Sequence, residues 1–183
     1  MKTSDLFYAI ATGPARRRHL LTPVGLVMFF SLLGLVILGG RLTDRSLSLP
    51  AILPGVPGTL AGLFLSVVGA LLWLRCIILF WHARGTPVPF NPPQVHVTVG
   101  PYARSRNPML IGVFCCLFGA GLCLHSVGVV LLWTPAFIIF NALELKFVEE
   151  PELERRFGMS YADYKRRVPM FLPTFRFRTS HVA

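Results

Sequence analysis

The stretch Leu20–Gly40, LLTPVGLVMFFSLLGLVILGG, runs for 21 residues without a charge. At about 1.5 Å per residue a helix of that length extends roughly 31 Å, the thickness of a bilayer's hydrocarbon. Arg16, Arg17 and Arg18 precede it, as they would precede a cleavable signal peptide. The run is longer than a typical signal core, however, and no small-x-small cleavage site precedes Arg41, so a retained transmembrane helix is the better reading. Working outward, three further apolar stretches read as spans: 57–81, 108–124 and 127–147. The last two meet at His125–Gly128 (HSVG), a tight turn that makes them a helical hairpin. The expected fold is all-α and integral to the membrane. It has about four transmembrane helices in a single domain over residues 1–183, with a polar loop before the hairpin and a C-terminal segment, 148–183, after it.

Composition agrees. Of 183 residues 54% are hydrophobic and 14% charged, where a soluble domain carries about 25% charged residues. That excludes a disordered chain, a coiled coil and a small disulfide scaffold. The net charge of +10 sits between apolar runs rather than over a soluble surface, which argues for membrane lipids and against nucleic acid as partner. Cys76, Cys115, Cys116 and Cys123 all lie in apolar stretches without metal-ligand spacing, and read as small buried hydrophobes with no metal site. Few-span proteins often pair, so a homodimer is left open.

Orientation follows from Lys and Arg. The N-terminus holds four, the loop over 83–106 three and the chain from Lys146 eight, against two in the first loop and none in the HSVG turn. This bias places both termini and the long loop in the cytoplasm. The membrane would be a bacterial inner membrane, or the endoplasmic reticulum in a eukaryote. Arg75 is the one charge inside the second span, six residues before Trp81. Either it snorkels to the headgroups or it turns inward to meet an anionic group.

Two polar regions share the cytoplasmic face. In Gly100–Met109 (GPYARSRNPM), Gly100 and Pro101 make a turn, Asn107 is placed as N-cap and Pro108 as the first helical residue. A cap needs only Asn107. Tyr102, Arg104 and Arg106 in the same few residues would add an attraction for carboxylate or phosphate at the helix N-terminus. The second region is Asn141, Glu144, Glu149 and Glu150. Asn141 and Glu144, three residues apart, share a helix face, and carboxylates beside hydrocarbon carry a cost that points to use. Gly158 should break the following helix, with Ser160 capping the next one. No Rossmann, Walker, zincin or nucleophile-elbow motif is present.

The order VTVGPYARSRNPMLIG … EEPELERRFGMSYADYKRRVPMFLP resembles the isoprenylcysteine carboxyl methyltransferase and phospholipid methyltransferase superfamily of integral-membrane enzymes. The likeness covers about half the chain, Gly85 to Pro173; the preceding RGTPVPFNPP resembles bacterial members, and the first two spans match only in hydropathy. It implies S-adenosylmethionine as cofactor, in a pocket formed by the cytoplasmic loop and the C-terminal helical segment. By matching position the cofactor contacts would be Gln94, Val95, His96 and Val97, then Gly100, Tyr102 and Arg106, then Asn107, Pro108, Met109 and Leu110, with Glu149, Tyr161 and Tyr164 closing the pocket. Asn107 and Glu150 are the catalytic candidates, with His96 a weaker candidate base. The sequence departs from the family at three places. Asn107 stands where many relatives have His, Leu110 replaces Tyr, and Leu145 occupies the place of a substrate-contacting Arg. The implied reaction is methyl transfer to a lipophilic small molecule or lipid-linked acceptor at a carboxylate, amine or thiol. The rival readings are a sterol-type reductase using NADPH and a non-enzymatic lipid-binding membrane protein.

Overall fold

The computed structural model describes residues 15–83 and 97–171, with side chains in the first helix from residue 22 onward. Among the described residues five helices carry the fold: α1 (Ala15–Ser46), α2 (Val56–His82), α3 (Pro108–Cys123), α4 (Gly128–Phe157) and α5 (Met159–Arg167). The described residues contain no strand, and the protein is an all-α integral membrane protein. Helices α1, α2 and α4 are long and apolar enough to cross a membrane.

Helix α3 is not. Its 16 residues give about 24 Å of axis, short of a hydrocarbon core of roughly 30 Å. Of the four expected spans, three reach that length among the described residues, and the fourth, α3, is an apolar helix of 16 residues. Helix α3 lies along α2 through paired glycines. A Cβ on Gly69 would come 2.5 Å from the Gly112 carbonyl oxygen, and one on Gly112 would come 2.7 Å from that of Gly69; Gly62 and Gly119 repeat the arrangement. Small residues let two backbones approach where lipid offers no hydrophobic drive for association.

Helix boundaries depart from the apolar runs wherever polar groups find partners. Helix α1 runs on past Gly40 to Ser46. Asp44 accepts a hydrogen bond from the Gly128 amide at 2.7 Å and another from the Ser126 hydroxyl. Thr43 accepts one from the Trp133 indole at 3.0 Å, and Arg41 donates to the Leu124 carbonyl at 3.2 Å. Helix α4 likewise does not stop near 147 but continues to Phe157, where Gly158 at φ 58° breaks it as expected. Ser160 does not cap α5: that helix starts at Met159 with Gly158 at the N-cap, so Ser160 is already its second residue. Arg75 is exposed on the outer face of α2, the position from which a side chain snorkels.

Between the helices, Val36, Val113, Phe114, Leu117 and Phe137 form the main core. Phe114 meets Phe137 and Phe171 edge-on at 6.1 and 5.6 Å. The outer faces of α1 and α2, including Val27, Phe30, Phe64 and Leu71, are exposed and apolar, as lipid-facing surfaces are.

Candidate functional site

The site begins with a loop that the C-terminal chain holds in place. Gly100, at φ 61°, takes the left-handed turn that starts a short 3-10 segment, Gly100–Ala103. Tyr102 is thereby buried and stacks on Phe80 of α2, centroids 5.3 Å apart and 21° between planes. Its phenol also hydrogen-bonds the Cys76 thiol, and burial above all holds its pKa well above the ordinary tyrosine value. From the other side the Tyr164 hydroxyl donates to the Tyr102 carbonyl at 2.7 Å. The Arg106 amide donates to the Pro169 carbonyl at 2.9 Å, and the Asn107 amide donates to that of Met170 at 3.1 Å.

These contacts revise the expected roles. Asn107 does stand at the N-cap of α3 with Pro108 following, but its side chain makes no capping bond and donates instead to the Met170 carbonyl at 3.4 Å. Tyr161 and Tyr164 do not line the cavity. They form a second buried cluster with Val168 beneath the loop, and burial, the largest cause in each, raises both phenols.

Between α1, α2, α3, α4 and this loop lies a cavity of about 230 Å³. One end is polar, lined by Tyr102, Arg106, Asn107, Asn141, Glu144 and Glu149; the other is apolar, lined by Leu26, Phe29, Leu32, Trp73 and Val113. Of the residues singled out from sequence, Tyr102, Arg106, Asn107, Met109, Leu110, Asn141, Glu144 and Glu149 meet here. Val97, Gly100, Pro108 and Arg104 do not line it, and Arg104 is exposed. Gln94, Val95 and His96 lie outside the described residues.

Glu150 does not face the cavity either. Its carboxylate is an ion-pair partner of Arg106 on one oxygen and of Lys165, at 2.7 Å, on the other. Adjacent residues of a helix point about 100° apart, which separates Glu149 from Glu150; the wide turn Leu145–Glu149, a π segment within α4, acts on a different pair. In an α-helix residues five apart are roughly 140° apart around the axis. An i→i+5 turn brings them nearly onto one face, so Glu144 and Glu149 both reach the cavity. Nothing in the α-helical period predicts that pairing. Also missed from sequence were Phe80, Trp73 and the α1 residues Leu26, Phe29 and Leu32, which read only as generic apolar span.

Membrane helices packed around a hollow lined by both polar and apolar side chains define a membrane protein with a candidate binding site. The phospholipid methyltransferase family model matches residues 58–160, more than half of the chain, and the protein belongs to that family. Membrane methyltransferase chemistry is the activity that membership implies. No curated protein matches the chain.

Proposed function

We propose that the protein transfers a methyl group from S-adenosylmethionine to a lipophilic, membrane-borne acceptor. The observation that carries this reading is that Tyr102 and Glu149, 47 positions apart along the chain, line one cavity that is polar at one end and apolar at the other. When bound, the donor supplies a methyl group already activated on a sulfonium. The chain then has to bind, align and keep water out.

The residues present suit that donor. Arg106 Nε is buried without a hydrogen-bond partner and belongs to a residue lining the cavity, a seat for a carboxylate. Glu149 and Glu144 suit an ammonium group or ribose hydroxyls, and Phe80 with Tyr102 offers an aromatic wall. A cavity with Arg106 on one side and two carboxylates on another complements a zwitterion. The apolar end accommodates the acceptor's hydrocarbon. Two carboxylates would repel a carboxylate acceptor and attract an amine, whose proton Glu144 or Glu149 can take; an amine is thus the acceptor we favour. The bias of Lys and Arg towards the termini and the loop supports a cytoplasmic side for the polar end, from which a water-soluble donor would reach it.

The test is methyl incorporation. Membranes containing the wild type and Glu149→Ala are incubated with isotopically labelled methyl donor, and extracted lipids are read by mass spectrometry. Label appearing in a lipophilic product with the wild type and not with the variant supports the proposal; equal labelling by both removes Glu149 from the site.

A further inference from the structure

A chain of charges runs from Arg106, on the cavity wall, to residues outside the cavity. Arg106 Nη1 pairs with Glu150 Oε1, Glu150 Oε2 pairs with Lys165 Nζ at 2.7 Å, and Lys165 also reaches Glu154 Oε1 at 2.9 Å. Arg106 and Glu150 have side chains only 11% and 5% exposed, whereas Lys165 is 37% and Glu154 46% exposed. A buried Arg–Glu pair by itself is close to neutral and would do little to attract an anion into the cavity. The nearby phenol of Tyr161 and the loop carbonyls add no net charge. Lys165 alters the balance: Arg106, Glu150 and Lys165 together carry +1, while Glu154 at the exposed end is screened by water. The carboxylate in the middle fixes the guanidinium plane and leaves Nε unpartnered.

We propose that Lys165 and Glu150 are positioning residues that hold Arg106, oriented and with net positive charge behind it, as the oxyanion-binding group of the cavity. This rests on the methyltransferase reading above for the nature of the ligand. The oxyanion is the carboxylate of the methyl donor's amino-acid end, or else a phosphate on the acceptor. The carbonyls of Pro169 and Met170, which fix the backbone at Arg106 and Asn107, belong to the same C-terminal chain as Lys165. That segment therefore sets both the place and the charge of the arginine.

The experiment is calorimetric titration of purified full-length protein in detergent with S-adenosylhomocysteine and with its decarboxylated counterpart, for the wild type, Lys165→Met and Lys165→Arg. The wild type should prefer the carboxylated ligand about tenfold or more, the scale of a charge-assisted hydrogen bond. Lys165→Met should reduce that preference to about threefold or less while binding the decarboxylated ligand unchanged, and Lys165→Arg should restore it. A purely structural lysine would weaken both ligands alike. A parallel titration with dihexanoylphosphatidic acid separates the sources: loss of this binding in Lys165→Met, with the nucleoside preference kept, assigns the oxyanion to the acceptor. Wild-type behaviour of Lys165→Met towards all three ligands overturns the proposal while leaving the donor site standing. Failure of the wild type to bind either nucleoside overturns both.

Discussion

The two ends of the helical bundle treat their carboxylates in opposite ways. At one end Asp44 spends both oxygens on the fold, accepting from the Ser126 hydroxyl and the Gly128 amide where α4 begins. At the other, Glu144 and Glu149 are turned into a cavity. Placing a carboxylate beside hydrocarbon without committing it to a protein partner costs stability, and a fold tolerates that cost where the group meets a ligand. Asp44 is architecture; Glu149, in the function we propose, is kept for binding.

Substitution should separate the two ends. Glu149→Gln is expected to lower methyl transfer at least 100-fold with little change in thermal stability, measured by label incorporation and by melting in detergent. Asp44→Ala should do the reverse. It strands the Gly128 amide and the Ser126 hydroxyl, at about 1–3 kcal/mol each, so the protein melts earlier while the folded fraction still binds donor. A melt unchanged by Asp44→Ala would break the contrast.

Next in size is the glycine contact that brings α3 close enough to α2 to shape the cavity. Gly69→Leu forces a side chain into the Gly112 backbone, and overpacking of this kind costs about 1–3 kcal/mol or more. The expected result is reduced yield of monodisperse protein on size exclusion. Tyr164→Phe, removing one hydrogen bond to the Tyr102 carbonyl, should cost about 1 kcal/mol and weaken donor affinity several-fold, read by titration.

The smallest effect is in alkaline pH. Tyr102, Tyr161 and Tyr164 have folded-state pKa values raised above their ordinary value of 10.0, chiefly by burial. The unfolded chain therefore loses these protons first. Their contribution to stability is complete below about pH 10 and declines as pH rises beyond it. Melting followed from pH 8 to 11 should show that decline, and Tyr164→Phe should make it shallower.

Much of this arrangement is legible in the sequence. An uncharged run of bilayer length announces its span, and Asn107-Pro108 announces a helix start, because both are local properties of the chain. The order from Tyr102 to the Glu149–Glu150 pair carries the family resemblance, and the family match covers the same ground. What the sequence hides is non-local. That α1 continues to Ser46 depends on partners some 80 residues away, such as Ser126 and Gly128. The meeting of Glu144 and Glu149 in the cavity depends on a wide turn that an α-helical period cannot express. The partners of Asn107 lie at Met170, and the apolar end of the cavity is built in part from α1, whose residues resemble any lipid-facing helix until packing turns some of them inward.

The central claim is that the polar end of the cavity is a methyl-donor site. Its most direct test is calorimetric titration of the folded, detergent-purified wild type and Tyr102→Ala with S-adenosylhomocysteine. The account predicts saturable one-to-one binding by the wild type and a loss of at least tenfold in the variant. Undiminished binding by Tyr102→Ala, or no heat from a folded wild type, would contradict it.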